Sequence, residues 1–245
     1  MDISYAIALD FEATCGDEMP VRPQEIIEFP SVLVSLTPFE VIDEFRSFVR
    51  PYHNPQLTEF CCELTSISQG DVDAAPYFHE VLAAHGKWLT EHGLSELNSV
   101  FVTCGDWDLG VMLPAQCRVG KQPVEYIPPI YTRWLNIKVP YRTVSGSKAP
   151  GMAGMLRSLG IPLIGVRHRG IDDCHNIANI LSALVKKGVV VEPSATLSPE
   201  KYPPIHLRLQ YNGVIEEVVL LTRSLKTLRS LAGRHFKCRI KTLAR

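Results

Sequence analysis

The apolar run Tyr5 to Leu9 leads straight into Asp10-Phe11-Glu12, and this junction constrains the chain more than any other stretch. A short apolar segment with aromatic and β-branched members predicts a buried strand. Side chains alternate along a strand, so carboxylates two residues apart project from one face. Two like charges at the edge of a core repel each other and are poorly solvated, which calls for a compensating cation. A hard divalent ion such as Mg²⁺ accepts carboxylate oxygens in that arrangement. A bare D-x-E serves equally well as a solvated strand end and a cap, so the rest of the chain has to decide.

The rest has the makings of an ordinary globular core: 245 residues, 46% hydrophobic and 21% charged. That is enough for one domain of moderate size, or one domain with an appendage. No apolar run approaches the roughly 20 residues that span a bilayer, so no membrane partner is expected. The first strand begins so close to Met1 that no signal or transit peptide is expected ahead of it. Seven cysteines, at 15, 61, 62, 104, 117, 174 and 238, include no C-x-x-C pair. Neither a zinc site nor a disulfide framework is therefore expected, and reduced thiols in a cytoplasmic or nuclear setting fit best.

Hydrophobic patterning predicts further strands at Glu25–Leu36, Val41–Val49, Ser99–Thr103 and Tyr131–Lys138. Helical patterns cover Leu57–Leu64, Gly70–Gly93, Leu109–Cys117, Met152–Leu159 and a last long helix that stops at Gly188. Strands followed by alternating helices and strands argue for an α/β sheet flanked by helices. Residues 192–204, with four prolines and several serines, read as a linker. Beyond it, Ile205–Tyr211 alternates, Asn212-Gly213 is a strong hairpin signal, and Val214–Leu221 returns. A short helix and a final strand around Phe236–Ile240 complete a small β-β-α-β module. Charge divides at the same place. Residues 201–245 carry ten Lys/Arg against two Glu, whereas residues 1–200 carry 15 basic and 24 acidic side chains. A basic tail on an acidic body suits a polyanionic partner, or docking on its own body.

Four acidic positions and one histidine then fall into line. Asp10 and Glu12 end the first strand, Asp108 stands where a later strand hands over to a helix, and His168 and Asp173 open the last long helix. Carboxylates at such points of an α/β sheet converge on the crevice where these folds place their sites. Two divalent ions about 3.5–4 Å apart, held by such a cluster, can stabilise the attacking and leaving oxygens of a phosphodiester displacement. His168 suits a general base.

D-x-E on the first strand with H-x₄-D before a helix resembles the pattern of the DEDDh (DnaQ-like) 3′–5′ exonucleases. Residues 8–15, Glu25-Ile-Ile-Glu-Phe-Pro30, Phe48-Val-Arg-Pro51, Leu64-Thr-Ser-Ile-Ser-Gln69, Trp107-Asp108 and 131–138 are more specifically similar to its ERI-type exoribonuclease branch. The resemblance spans about residues 3–190. It implies an RNase H-like mixed sheet flanked by helices over residues 1–191, followed by the linker at 192–204 and the appendage at 205–245. It also implies two Mg²⁺ ions, for which Mn²⁺ can substitute. Asp10 would bridge them, Glu12 and Asp173 would hold the water-activating ion, Asp108 the other, and His168 would be the base. The implied activity is removal of nucleoside 5′-monophosphates from a single-stranded 3′ end, RNA in preference to DNA. Phe11, Ala13, Thr14 and Trp107 are candidates for the terminal nucleotide, though Phe11 reads equally as core and Trp107 as a helix-start anchor.

Two choices lie between neighbours: the position after the aromatic favours Asp108 over Asp106, and the H-x₄-D spacing selects Asp173 over Asp172. The branch commonly has Gly where Ser66 stands. His235, Lys237, Arg239 and Lys241 alternate with apolar residues in the tail and are candidate RNA-backbone contacts, or else a solvated face. A second class of function is a structural or RNA-binding subunit of a ribonucleoprotein, attached through that tail.

Overall fold

The run Tyr5–Leu9 forms β1, a central strand of a seven-stranded mixed sheet. The computed structural model describes residues 3–124 and 127–197, and the backbone of two further strands. On one side β1 pairs antiparallel with β3 (Ile26–Leu36), Tyr5 opposite Ser35 and Leu9 opposite Ser31. On the other it pairs parallel with β5 (Ser99–Thr103), Ala8 opposite Val102. Beyond β5 lie β6 (Arg133–Asn136), parallel to it, and then β7 (Ala195–Thr196), antiparallel to β6. The opposite edge is β4 (Phe39–Phe48), antiparallel to β3. The architecture is the α/β mixed sheet expected from the sequence.

Alternation along β1 sends its side chains into two layers. Ile7 and Leu9 join Phe29, Leu33 and Phe101 under α3 (Phe78–Glu91) and α4 (Leu113–Val119). Ala6 and Ala8, with Val32, Val100 and Val102, face α5 (Lys138–Ser145), α6 (Met152–Leu159) and α7 (Gly170–Lys186). The small alanines let α7 lie close to the sheet. A Cβ added to Gly170 would come within 2.8 Å of Pro30 Cγ and 2.9 Å of the Asp10 carbonyl oxygen. Only a glycine fits that approach, and it seats the first turn of α7 against the end of β1. Two short helices, α1 (Glu59–Thr65) and α2 (Gln69–Asp73), complete the cover, with Cys61, Ile67 and Val72 packed on Ile27.

Several boundaries differ from the expectation. The helical pattern across Gly70–Gly93 is broken into α2 and α3, because Pro76 lacks an N–H and disfavours helical backbone at Ala75. The segment expected as strand at 131–138 opens in a 3₁₀ turn, Pro129–Thr132, and Lys138 already begins α5. The helix expected from Leu109 starts one residue earlier, in a π turn at Asp108–Met112. The stretch read as a linker contributes β7, and its flanks are bonded too: Ser194 N–H donates to Trp134 O at 2.9 Å and Leu197 N–H to Thr132 O at 2.8 Å.

The hairpin strands β8 (Ile205–Tyr211) and β9 (Val214–Leu220) pair antiparallel in a separate sheet, Ile205 opposite Leu220. The helix and last strand of the expected appendage, with His235, Lys237, Arg239 and Lys241, lie outside the described residues. Among the described residues no helix is long and apolar enough to cross a membrane.

Candidate active site

Where the sequence suggested one strand ending in both carboxylates, the backbone leaves β1 after Leu9. Glu12 and Ala13 form a separate short strand, β2, which pairs with β3 at Glu28 and Ile26 with a register shift between them. A pure alternation argument is thus wrong about the strand and right about the face. Asp10 and Glu12 both line one cavity of about 460 Å³, together with Cys104, His168 and Asp173.

Phe11, between the two carboxylates, is a core ring, 4% exposed and edge-on to Phe29 with centroids 4.7 Å apart. Its backbone N–H donates to Asp108 Oδ1 at 2.9 Å. That bond ties the end of β1 to the π turn following β5. From the other side, α7 contributes Asp173 in its first turn, and His168 stands two residues before the helix. His168 has φ 63°, a left-handed backbone costing of order 1 kcal/mol in a residue with a Cβ. Its N–H donates to Asp173 Oδ2 at 2.9 Å, which holds it there. The other oxygen, Asp173 Oδ1, is buried without a hydrogen-bond partner. Ligand atoms of Glu12, His168 and Asp173 lie within 4.8 Å of one another.

The electrostatics follow from this crowding. Burial, then Asp108, Glu12, Asp173 and Glu28, push the Asp10 carboxyl well above the usual carboxylate range. Burial, then Asp173, Glu28 and Asp108, raise Glu12 to about 9. Burial raises Asp108 to about 6, against the pull of the Phe11 N–H. Burial raises Asp173 also, partly offset by the His168 N–H. An ensemble of hard oxygen donors that repel one another, one of them orphaned, fits a divalent cation. The residues present therefore suit the ions that the sequence pattern implies.

The two choices between neighbouring aspartates are now visible as geometry. Asp106 accepts the Trp134 indole N–H at 2.9 Å, whereas Asp108 turns into the buried cluster. Asp172 accepts the Val166 N–H at 3.0 Å and reaches Arg169 at 3.8 Å, whereas Asp173 joins the cluster. Trp107 is 39% exposed and lines a second cavity of about 380 Å³ with Cys15, Arg22 and Val111. Ala13 and Thr14 are buried, and the Thr14 hydroxyl oxygen accepts the Glu25 N–H at 3.0 Å.

A family profile described as Exonuclease (RNase_T) matches residues 7–181. The chain belongs to this exonuclease family. Over 195 residues it is 43% identical to the human protein named ERI1 exoribonuclease 3, covering 78% of this chain and 56% of that one. It thus spans about half the length of the curated relatives it matches. The nuclease domain of 3′hExo, described as a DEDDh family member bound to rAMP, superposes with a TM-score of 0.74 at 34% identity, covering 80% of this chain and all of that one. A 3′-exonuclease structure titled for 3′-end specific recognition of a histone mRNA stem-loop gives 0.73 at 30% identity, covering 89% and 92%.

The exonuclease fold also shows what residue-by-residue reading missed. Glu28 is fully buried on β3, where Oε1 accepts Arg46 Nε–H at 2.6 Å and Oε2 accepts the Gly170 N–H at 3.1 Å. It is a carboxylate of the same edge, but a satisfied one, and it clamps β4 and the start of α7 to β3. A charged residue inside an apolar strand was the available signal, since Glu is almost never fully buried unless paired.

Proposed function

We propose that the chain is a divalent-metal-dependent exonuclease that removes nucleoside 5′-monophosphates from the 3′ end of single-stranded RNA. The observation carrying this reading is the convergence of Asp10, Glu12, Asp108 and Asp173 on one sheet edge beside His168, with an Asp173 oxygen left unpartnered. Asp10, Glu12, Asp108 and Asp173 would supply the carboxylates that hold two such ions. Mg²⁺ is the ion of choice for such oxygen donors, and Mn²⁺ accepts them as well. Bound there, the ions supply the charge that activates a water and steadies the oxygens of a displaced phosphodiester.

His168 accepts the proton released by the attacking water. The Arg167 guanidinium, which can only donate, approaches His168 Nε2 at 3.4 Å. As the acceptor of that contact Nε2 carries the lone pair, so it is the nitrogen that takes the proton, displacing Arg167. Asp173 fixes the position of the histidine through its backbone N–H. The exposed face of Trp107 takes the terminal base, since bases stack on aromatic rings. Ala13 and Thr14 border the sugar, and Phe11 acts through its backbone, its ring belonging to the core.

RNA is favoured over DNA because the similar proteins are named exoribonucleases and one related nuclease domain holds rAMP. The basic residues His235, Lys237, Arg239 and Lys241 would add a backbone contact from an appendage at 205–245, or attach the enzyme to a ribonucleoprotein. Free cysteines among the described residues fit the reducing cytoplasm or nucleus.

The test is a time course on 5′-labelled single-stranded RNA and matched DNA, with Mg²⁺, Mn²⁺ or EDTA, beside Asp10→Ala. A metal-dependent ladder shortening from the 3′ end of RNA, absent in the variant, is expected. Equal shortening of DNA would remove the RNA preference. Binding without cleavage under both metals would sink the enzyme and leave the structural-subunit role.

A further inference from the structure

The carboxylates line one cavity and Trp107 lines another. Trp107 lines the 380 Å³ cavity together with Cys15 and Val111. If the last base stacks there, the rest of the strand leaves through the 460 Å³ cavity on the His168 side. One wall of that cavity is Asp10, Glu12 and Asp173. The other is the start of α6, Gly151 to Gly154, with Arg157 and Arg167. A strand passing this way carries one negative charge per nucleotide past a row of carboxylates, and ions bound at the scissile phosphate do not cover the phosphate before it. Fixed cations on the exit path would neutralise it.

Most arginines at a protein surface are solvated and do nothing specific. These two differ in their surroundings. Neither has a carboxylate within 4.0 Å among the described residues, although the cavity they line is acidic. Arg169, two positions from Arg167 in the same loop, does find one, Asp172. The Arg167 guanidinium is held instead beside the His168 ring. Arg157 stands in the last turn of the helix whose first turn forms the cavity wall. A planar guanidinium matches phosphate geometry and stays charged at any working pH.

We propose that Arg157 and Arg167 clamp the phosphate immediately upstream of the scissile one, and so set the exit path of the strand. They are positioning residues, acting on substrate register and not on the reacting atoms. The inference rests on the exonuclease reading, and the substrates are chosen to separate the two. UpU contains only the scissile phosphate, whereas UpUpU adds one upstream. The wild type should cleave UpUpU with a kcat/KM about tenfold or more above UpU, the scale of a charge-assisted contact. In Arg157→Ala/Arg167→Ala this ratio should fall toward one. Arg167→Lys alone should retain part of it and Arg169→Ala should keep it whole. Independently of cleavage, anisotropy of 5′-fluorescein-U₁₂ in EDTA should show a log K against log salt slope shallower by about 0.7 in the double variant, the value of one lost single-strand phosphate contact. An unchanged ratio and slope in the double variant, with both substrates still cut, would overturn the clamp alone. A wild type that binds U₁₂ but cuts neither substrate would overturn the exonuclease reading and the clamp with it.

Discussion

Two buried polar clusters of this protein treat their hydrogen bonds in opposite ways. In the core, His85 is fully buried with both ring nitrogens paired, Nε2 to Ser31 Oγ at 3.0 Å and Nδ1 to Tyr131 OH at 2.7 Å. Phe29, Phe45 and Trp88 surround it, with ring centroids 4.5, 4.8 and 5.3 Å away. Burial pulls its pKa down to about 3, so it is a neutral, satisfied member of the core. At the sheet edge, burial raises the pKa of four carboxylates, their neighbours add to the rise at Asp10 and Glu12, and Asp173 Oδ1 has no partner at all. Buried polar groups are nearly always paired, and an exception needs a reason. The paired cluster is structure. The unpaired one is a seat for something that arrives later.

The sharpest way to break this contrast is Glu12→Gln. Activity on labelled RNA should fall about 10³-fold, since the ions supply several kcal/mol of transition-state stabilisation. The metal-free protein should meanwhile melt a few degrees higher at pH 7, because Glu12, raised to about 9, must take up a proton on folding and glutamine need not. Mg²⁺ or Mn²⁺ should raise the melting temperature of the wild type and not of the variant. A lower melting temperature in EDTA would mean that the edge is not strained by its own charge.

On the other side of the comparison, His85→Leu should cost about 3 kcal/mol in urea unfolding, because it strands the buried hydroxyls of Ser31 and Tyr131. The same histidine predicts a pH dependence of somewhat smaller size. Above about pH 6.5 it is neutral in both states. Below that, the unfolded chain takes up a proton that the folded His85 refuses until about pH 3. Stability therefore falls as pH falls, by about 1.4 kcal/mol per unit, or roughly 2 kcal/mol between pH 7 and 5. This component should be missing from the urea midpoints of His85→Leu; an identical pH profile would show that His85 is not buried neutral.

The smallest effect calibrates backbone strain at the site. Ser66 caps α1 at φ 58°, close to the φ 63° of His168. Ser66→Gly should stabilise the protein by about 1 kcal/mol, some 2–4 °C in thermal melting. No stabilisation would mean that Ser66 gains an offsetting contact. The glycine that the resemblance implies at this position would suit such a helix end.

Much of this was legible in one dimension. β5 at Ser99–Thr103 and α6 at Met152–Leu159 form as their local patterns predicted, and D-x-E with H-x₄-D named the residues that meet. Local position also preferred Asp108 and Asp173 over their neighbours, yet the reason lies in what those neighbours touch: Trp134, 28 positions on, engages Asp106, and Val166 and Arg169, close by in the chain, engage Asp172. The break between β1 and β2 was not legible, because the alternation argument assumes a straight strand and Glu12 is held by pairing with β3.

The sequence by itself determined most of the secondary elements and the inventory of chemical groups, since hydrophobic period and side-chain type are properties of a residue and its near neighbours. Only the tertiary structure decided which buried carboxylates would be satisfied, as Glu28 is by Arg46 and Gly170, and which would be left wanting a cation. That outcome depends on donors up to 142 positions away, and nothing in the neighbourhood of a residue records which distant N–H will reach it.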